Sequence, residues 1–341
     1  MNNISLVMIG FGNVGQAFAH LLIRKRQELQ STQNLNFRIT GIATGSHGCV
    51  LNQEGLDTRR AIALMNTNQP LTTLSQQSFA DTLALIRNCQ SDTMIENTPV
   101  NYQSGQPAVK HIETALSNGM HVVSANKGPI AHAYQELTSL EGKVGKTLLF
   151  ESTVMDGAPI FSLFRQTLPA AKLISFEGIL NSCTNLILEQ MEDGKSFDEA
   201  VNYAKSIGIT ETDPSGDIDG WDAAIKVAIL VTVLMNMPLK PQEVNRTGIR
   251  DITSETVKRA KKEGKRWKLV CRAQMQGEKL HASVAPELVV AGSPLFSVNG
   301  TSSFIHFHTD VLPGLGLLEG NPGPETTAYG LLADLISIYQ K

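Results

Sequence analysis

Ile4-Ser-Leu-Val-Met-Ile9 is an apolar, partly β-branched run, and Gly10-Phe11-Gly12-Asn13-Val14-Gly15 follows it without a break. Ala17, Phe18, Leu21 and Leu22 then recur at helical spacing. A run of the first kind suits a strand buried on both faces of a parallel sheet. A strand that enters a helix through G-x-G-x-x-G has few conformational solutions. The first glycine allows the tight turn, the second lets backbone approach a pyrophosphate, and the third lets helix and strand pack closely. The anion would rest on the positive end of the helix. Gly10 to Gly15 thus predict a Rossmann-like, doubly wound α/β nucleotide-binding domain. A tight strand–helix turn without a ligand is the plainer alternative.

The next strand is expected at Phe37–Ala43, and its end is where an acid would meet the ribose 2′-hydroxyl of NAD. The chain instead reads Thr44-Gly-Ser46-His47-Gly48, with Arg38 nearby in sequence. Small polar groups at that point admit NADP as well as NAD. Thr93–Glu96 reads as a further sheet strand leading into Asn97-Thr98-Pro99, and His121–Ser124 as another leading into Ala125-Asn-Lys127. Ligands of open α/β sheets bind at the carboxyl ends of strands. Thr44, Ser46, Thr98, Pro99 and Lys127 are accordingly candidate cofactor contacts, although a loop lysine is often only a solvated charge. Leu148–Glu151 is the last expected strand of this half, and Gly157 and Pro159 mark a change of direction. Residues 1–155, completed by about 310–341, are assigned to the dinucleotide-binding domain, and residues 156–309 to substrate binding and oligomerisation.

In the second half, Leu173–Leu180 reads as a strand that empties into Asn181-Ser182-Cys183-Thr184-Asn185. Such a turn offers hydroxyls and N–H groups to a ligand, or simply caps a helix. Ser196-Phe-Asp-Glu199 is a capping box, and its helix stops at Gly208. The segment Glu211–Lys226 then carries Glu211, Asp213, Asp217, Asp219, Asp222 and Lys226 before the apolar run Val227–Met235. A helix that is apolar all round must be buried. Asp222 and Lys226, four apart, share one face of it. A buried carboxylate beside an amine is costly unless the two satisfy each other or serve a ligand, so this pair marks a polar substrate site. Asp213 and Asp219 are taken as solvated loop acids on an irregular path. The spacing does not match a calcium-binding loop. Lys258–Lys268 is strongly basic and reads as a solvated helix face. Lys279–Val284 and Ser303–His308 alternate as sheet strands, and Thr326–Tyr339 reads as a helix able to cover the nucleotide domain. The second domain is therefore expected to be α+β with a mixed sheet.

A net charge of −3 and the lack of any long basic block argue against nucleic-acid binding. Cys49, Cys89, Cys183 and Cys271 are far apart, which fits free thiols in a reducing compartment. The N-terminus has no basic flank or cleavage site, and the longest apolar run is too short to span a bilayer. A cytoplasmic enzyme that binds no membrane is expected.

Together, Gly10-Phe-Gly-Asn-Val-Gly15, Ala125-Asn-Lys127, Gly178-Ile-Leu-Asn-Ser-Cys-Thr-Asn185 and the segment Ala204–Lys226 resemble the homoserine dehydrogenase family across almost the whole chain. The last segment is the most specific, since it matches at Ala204, Gly208, Asp213-Pro214, Asp217, Gly220, Asp222 and Lys226 together. The resemblance implies NAD(P)-dependent interconversion of L-aspartate-4-semialdehyde and L-homoserine, on the route to threonine, isoleucine and methionine. It implies that Glu211, Asp217, Asp222 and Lys226 bind substrate and move protons, with Lys127 as a second active-site lysine. Lys226 or Lys127 would donate the proton. Ser182 and Cys183 align with the family's substrate-contacting pair, although a thiol donates hydrogen bonds poorly. Backbone carbonyls of Glu151, Val154, Asp156 and Ala158 align with a monovalent-cation site such as sodium, where Asp156 is a departure. A homodimer or homotetramer is implied, in a short form without the family's C-terminal regulatory domain. Two alternatives stay open: a non-catalytic dinucleotide-binding regulator, or an aldehyde-oxidising enzyme using Cys183 as nucleophile.

Overall fold

A computed structural model describes residues 1–75, 77–210 and 213–340. The chain divides into two units, Met1–Pro159 with Gly323–Lys341, and Ile160–Pro322. The first unit runs β1 (Asn2–Ile9), α1 (Asn13–Gln33), β2 (Leu35–Ala43), β3 (Cys49–Leu51), α2 (Thr58–Asn66), β4 (Gln77–Phe79), α3 (Thr82–Asn88), β5 (Thr93–Glu96), α4 (Ala108–Ser117), β6 (His121–Ser124), α5 (Lys127–Val144) and β7 (Leu148–Leu149). Its sheet has the order β4-β3-β2-β1-β5-β6-β7. β1 pairs in parallel with both β2 and β5, so the strand order reverses beside β1, and a crevice opens there at the carboxyl ends. This is the doubly wound domain expected from Gly10–Gly15.

The second unit runs β8 (Leu173–Ile179), α6 (Ser182–Glu192), α7 (Phe197–Ser206), α8 (Ser215–Ile218), α9 (Trp221–Leu234), β9 (Asn245–Arg246), α10 (Ser254–Lys262), β10 (Lys265–Gln276), β11 (Lys279–Val290), β12 (Ser303–Thr309) and β13 (Leu315–Glu319). The sheet order is β13-β12-β8-β10-β11-β9. Its pairings are antiparallel except for β11 with β9, which makes it mixed. The final helix, α11 (Pro324–Tyr339), belongs to the first unit. Ala328, Leu331, Leu332, Leu335 and Ile338 of α11 share a core with Phe18, Leu21 and Leu22 of α1 and Leu6 and Met8 of β1. Each of these leucine, isoleucine, methionine and phenylalanine side chains contributes roughly 1.5–3 kcal/mol when fully buried. Among the described residues no helix is long and apolar enough to cross a membrane, and the four cysteines are free and buried.

The structure corrects three sequence expectations. The basic stretch Lys258–Lys268 is not one helix face, because Gly264 adopts φ 68° and the helix gives way to β10. Lys268 is 1% exposed, and its ammonium donates to Asn185 Oδ1 at 2.7 Å and Val298 O at 2.5 Å. Burial holds this amine down to about 8. Asp217 lies on a single helical turn, α8, instead of an irregular path. Asp219 is no free loop acid, since it pairs with the Arg250 guanidinium, whose Nη2 lies 3.1 Å from Oδ2.

Candidate active site

The glycine turn and the loops at the strand ends lie within the first unit. Gly10 adopts φ 92°, and a side chain there would start 2.7 Å from Asn97 O. A side chain at Gly15 would start 2.9 Å from Gly10 O. Gly12, the N-cap of α1, faces open space and has an ordinary φ of −77°. No side chain caps the helix there, and no acid lies in its first turn. The first N–H groups of a 21-residue helix thus point at an open, uncrowded approach. These features fit a dinucleotide pyrophosphate.

Thr98, Pro99 and Lys127 are brought together by residues that sequence reasoning missed. Glu96 ends β5 fully buried, and its Oε1 accepts from Thr98 N at 2.9 Å and from the Thr98 hydroxyl. Its Oε2 lies 2.9 Å from His111 Nδ1. The Asn126 amide donates to Thr98 O at 3.0 Å and Pro99 O at 3.4 Å. Asn126 Oδ1 accepts from Gly128 N at 2.9 Å, capping α5, of which Lys127 is the first residue. Asn97, its amide turned toward β1, donates to Ile9 O and Gly10 O at 2.6 Å each. An acid closing an otherwise buried strand was the available signal for Glu96.

Thr44 and Ser46 lie in the turn after β2. His47 N donates to Thr44 Oγ1 at 2.7 Å, and Ser46 Oγ is 2.8 Å from His47 Nδ1. Arg38 does not join them. It sits five residues before the end of β2, about 16 Å away at strand spacing, and its stem lies against Gly55.

Glu151–Ala158 is tied to α11. Asp334 Oδ2 accepts from Glu151 N at 2.8 Å, Ser152 Oγ donates to Thr327 O at 2.8 Å, and Thr326 Oγ1 donates to Asp156 Oδ2 at 3.0 Å. Asp156 holds φ 40°, and Val154 is buried.

The second unit gathers the acid–lysine cluster. Gly220, at φ 79°, turns the chain between α8 and α9. The Arg246 guanidinium stacks 3.8 Å over Trp221, the first residue of α9. Behind it α9 is buried from Asp222 to Ile225 and from Val227 to Thr232, so it carries Asp222 and Lys226 inward as expected. Lys226 Nζ is 3.0 Å from Asp222 Oδ2 and donates to Leu180 O at 2.6 Å. The two side chains keep 13% and 12% of their surface exposed, so the pair is nearly but not fully sealed. Asn181 joins the carboxylates, since its Nδ2 donates to Asp217 Oδ1 at 2.7 Å and to Asp222 Oδ2 at 3.0 Å. Its Oδ1 meanwhile accepts from Thr184 N at 2.8 Å and caps α6. Asn181 thus makes the helix cap, the plainer of the two sequence readings, and also bonds both carboxylates. Thr210 Oγ1 donates to Asp217 Oδ2 at 2.8 Å. Ser182 Oγ lies 3.3 Å from Ser303 Oγ. Glu211 falls outside the described residues.

Burial, and then the neighbouring Asp222, pushes the Asp217 carboxyl upward against the hydrogen bonds from Asn181 and Thr210. A raised native pKa favours folding below the unfolded value of 3.8, and that contribution is lost as pH rises through the native value. Asp217→Asn is therefore expected to stabilise the ligand-free protein by about 1 kcal/mol at neutral pH. The gain should shrink in acidic buffer, as read from thermal midpoints at both pH values. A variant no more stable than the parent at neutral pH would refute the electrostatic strain.

Burial likewise pushes the Cys183 thiol well above its ordinary range, with Asp217 adding to the effect. Cys183 is 3% exposed. A thiol held protonated is a poor nucleophile, which removes the support for aldehyde oxidation through Cys183.

The sequence profile described as homoserine dehydrogenase matches residues 159–336, and the one for its NAD-binding domain matches residues 10–151. The homoserine dehydrogenase of Methanocaldococcus jannaschii is 35% identical, over 98% of this chain and 98% of that protein. The NAD(+)-dependent homoserine dehydrogenase of Pseudomonas canavaninivorans is 33% identical, over 100% and 97%. The crystal structure of a homoserine dehydrogenase from Thiobacillus denitrificans superposes with a TM-score of 0.84 at 27% identity, covering 100% of this chain and 74% of that one. A doubly wound nucleotide unit, a mixed-sheet unit with a buried acid–lysine helix, and these matches lead to one conclusion: the chain belongs to the homoserine dehydrogenase family, NAD(P)-dependent oxidoreductases acting on a CH–OH group.

Proposed function

We propose that the first unit holds the dinucleotide, through Gly10–Gly15, Thr44, Ser46, Thr98, Pro99 and Lys127, and that the second holds homoserine or aspartate semialdehyde. The observation that carries this reading is the Asp222–Lys226 pair at the exit of β8, with Asn181 bridging Asp222 to Asp217. Oxidising a primary alcohol to an aldehyde removes a proton from the oxygen and a hydride from its carbon. The bound nicotinamide supplies the hydride chemistry, and the proton is left to the protein. Lys226, fixed by Asp222 and Leu180 O, is the group we assign to hold and return it. Asp217 and Asp222 supply carboxylate acceptors for the substrate ammonium, in surroundings dry enough to make such bonds strong. Ser182, Cys183 and Glu211 complete the proposed substrate set, and Lys127 the catalytic one.

The test is Asp222→Asn, which keeps the shape and removes the charge. The KM for homoserine should rise at least about tenfold, the scale of one charge-assisted hydrogen bond, with the dinucleotide KM within about twofold. An unchanged homoserine KM would falsify the assignment.

Three further elements belong to the same proposal. The carbonyls of Glu151, Val154, Asp156 and Ala158 are hard oxygen donors, suited to a sodium-sized ion, in a segment that α11 pins in place. Two or four copies associate, supported by exposed Leu288, Val290 and Leu318 on the second unit. A reducing, cytoplasmic setting accords with the free thiols.

A further inference from the structure

The turn that follows β2 is where a dinucleotide carries either a bare ribose 2′-hydroxyl or a 2′-phosphate, and here that turn is closed on itself. Thr44 N donates to Gly48 O at 3.1 Å, and His47 N donates to Thr44 Oγ1 at 2.7 Å. His47 is the one ionisable side chain within Thr44–Gly48. Both of its ring nitrogens are occupied, Nδ1 by Ser46 Oγ at 2.8 Å and Nε2 by Asn68 Oδ1 at 2.9 Å.

The nearest arginines by sequence are rooted away from this turn. Arg38 is five residues back along β2. Arg59 and Arg60 lie in the first turn of α2, and Asp57 caps that end by accepting from Arg60 N. The opposite end of α2 approaches the turn, since Asn68 lies just beyond it and Leu71 N donates to His47 O at 2.8 Å. A nine-residue helix separates its ends by about 12–13 Å. The end near His47 is the carbonyl end, which carries the negative pole and repels anions.

An acid completes the picture from a place that the sequence pattern does not indicate. Ala43, the last residue of β2, pairs with Cys49, and Cys49 pairs with Phe79. Asp81 follows two residues later as the cap of α3. Burial pushes the Cys49 thiol upward against hydrogen bonds with Thr44 and Thr82, and Asp81 is close enough to add a smaller upward push. The end of β2 is thus bordered by an occupied imidazole, a helix carbonyl end and a carboxylate.

We infer that these surroundings select the dinucleotide with a free 2′-hydroxyl and reject its 2′-phosphorylated form. Within Thr44–Gly48 a phosphate dianion would meet no side-chain cation except an imidazole whose ring nitrogens are both engaged, and it would face the carbonyl end of α2. A hydroxyl needs only the small polar groups of Thr44 and Ser46. The inference rests on the pyrophosphate lying at Gly10–Gly15.

The experiment measures binding directly, by fluorescence titration of the whole protein with NADH and with NADPH. Adenosine 5′-monophosphate and adenosine 2′,5′-bisphosphate serve as competing probes. NADH should bind at least about tenfold more tightly, and the bisphosphate should compete less well than the monophosphate. Ser46→Arg should narrow that ratio at least about tenfold by supplying a cation, and Asp81→Asn should narrow it to a smaller extent. Arg38→Ala should leave it unchanged. Equal or tighter binding of NADPH by the parent protein overturns the inference alone. Failure of both dinucleotides to bind overturns the placement of the pyrophosphate, and the inference with it.

Discussion

Replacing Lys226 with alanine is expected to lower kcat by about 10²–10⁴-fold, the range typical of a general acid–base group. The dinucleotide dissociation constant should stay within about twofold, because α9 and the glycine turn at Gly10–Gly15 lie in different units. The size of the effect follows from the helix. The Lys226 side chain keeps only 13% of its surface exposed, which leaves little water to take over from its ammonium, and Leu180 O and Asp222 Oδ2 hold that ammonium within 3.0 Å. Removing it also takes the cation from Asp222 and leaves the neutral Asn181 amide beside that carboxylate, so some stability is lost, on the order of 1–3 kcal/mol for a largely buried carboxylate. Lys226→Arg separates the two consequences. A guanidinium can pair with Asp222 but does not give up its proton in proteins. That variant should recover much of the thermal midpoint and little of the turnover. If Lys226→Arg turned over as fast as the parent, Lys226 would be a fixed charge and the proton would move elsewhere, with Lys127 the next residue to test.

Much of the fold was legible because its strongest constraints are local. The order of strand, glycine turn and helix at Ile4–Leu22 specifies one way of folding, and the apolar run after Asp222 leaves α9 no surface to expose. The capping box at Ser196 and Glu199 is present as read. What escaped are contacts between residues distant in sequence. Asn181 reaches Asp217 across 36 positions and Asp222 across 41, and neither spacing forms a pattern along the chain. Glu96 and His111 meet across 15 residues because β5 and α4 are neighbours. Lys268 misled for a different reason. A run of basic residues has the same periodicity whether or not Gly264 breaks the helix midway, and only the carbonyl of Val298 and the amide of Asn185 explain a lysine inside the core. Charge patterning reports a solvated surface well and a satisfied buried cation poorly, since the partners that satisfy it are not its sequence neighbours.

Alanine at Gly12 and alanine at Gly10 should fail in opposite ways. Gly12 has φ −77°, and a methyl group added to it would meet nothing within 4 Å, so Gly12→Ala should fold with a thermal midpoint close to the parent's. The space that methyl would enter is the approach to the N–H groups of α1, where the pyrophosphate must come within hydrogen-bond distance of the backbone. Affinity for the dinucleotide should therefore fall by about two orders of magnitude or more, since displaced phosphate loses several charge-assisted bonds at once. Gly10 is the reverse case. Its φ of 92° is strained for any L side chain, and its methyl would sit 2.7 Å from Asn97 O and 2.8 Å from Asn97 C, both rigid backbone atoms. Gly10→Ala should cost about 2–4 kcal/mol of stability by combining a forbidden dihedral with overpacking. Calorimetric unfolding and NADH titration on the two variants give four numbers, and the reading requires them to cross. A Gly12→Ala protein that binds NADH like the parent would mean that the glycine turn is only a tight corner between β1 and α1. The open N-terminus of a 21-residue helix would then have no ligand to receive.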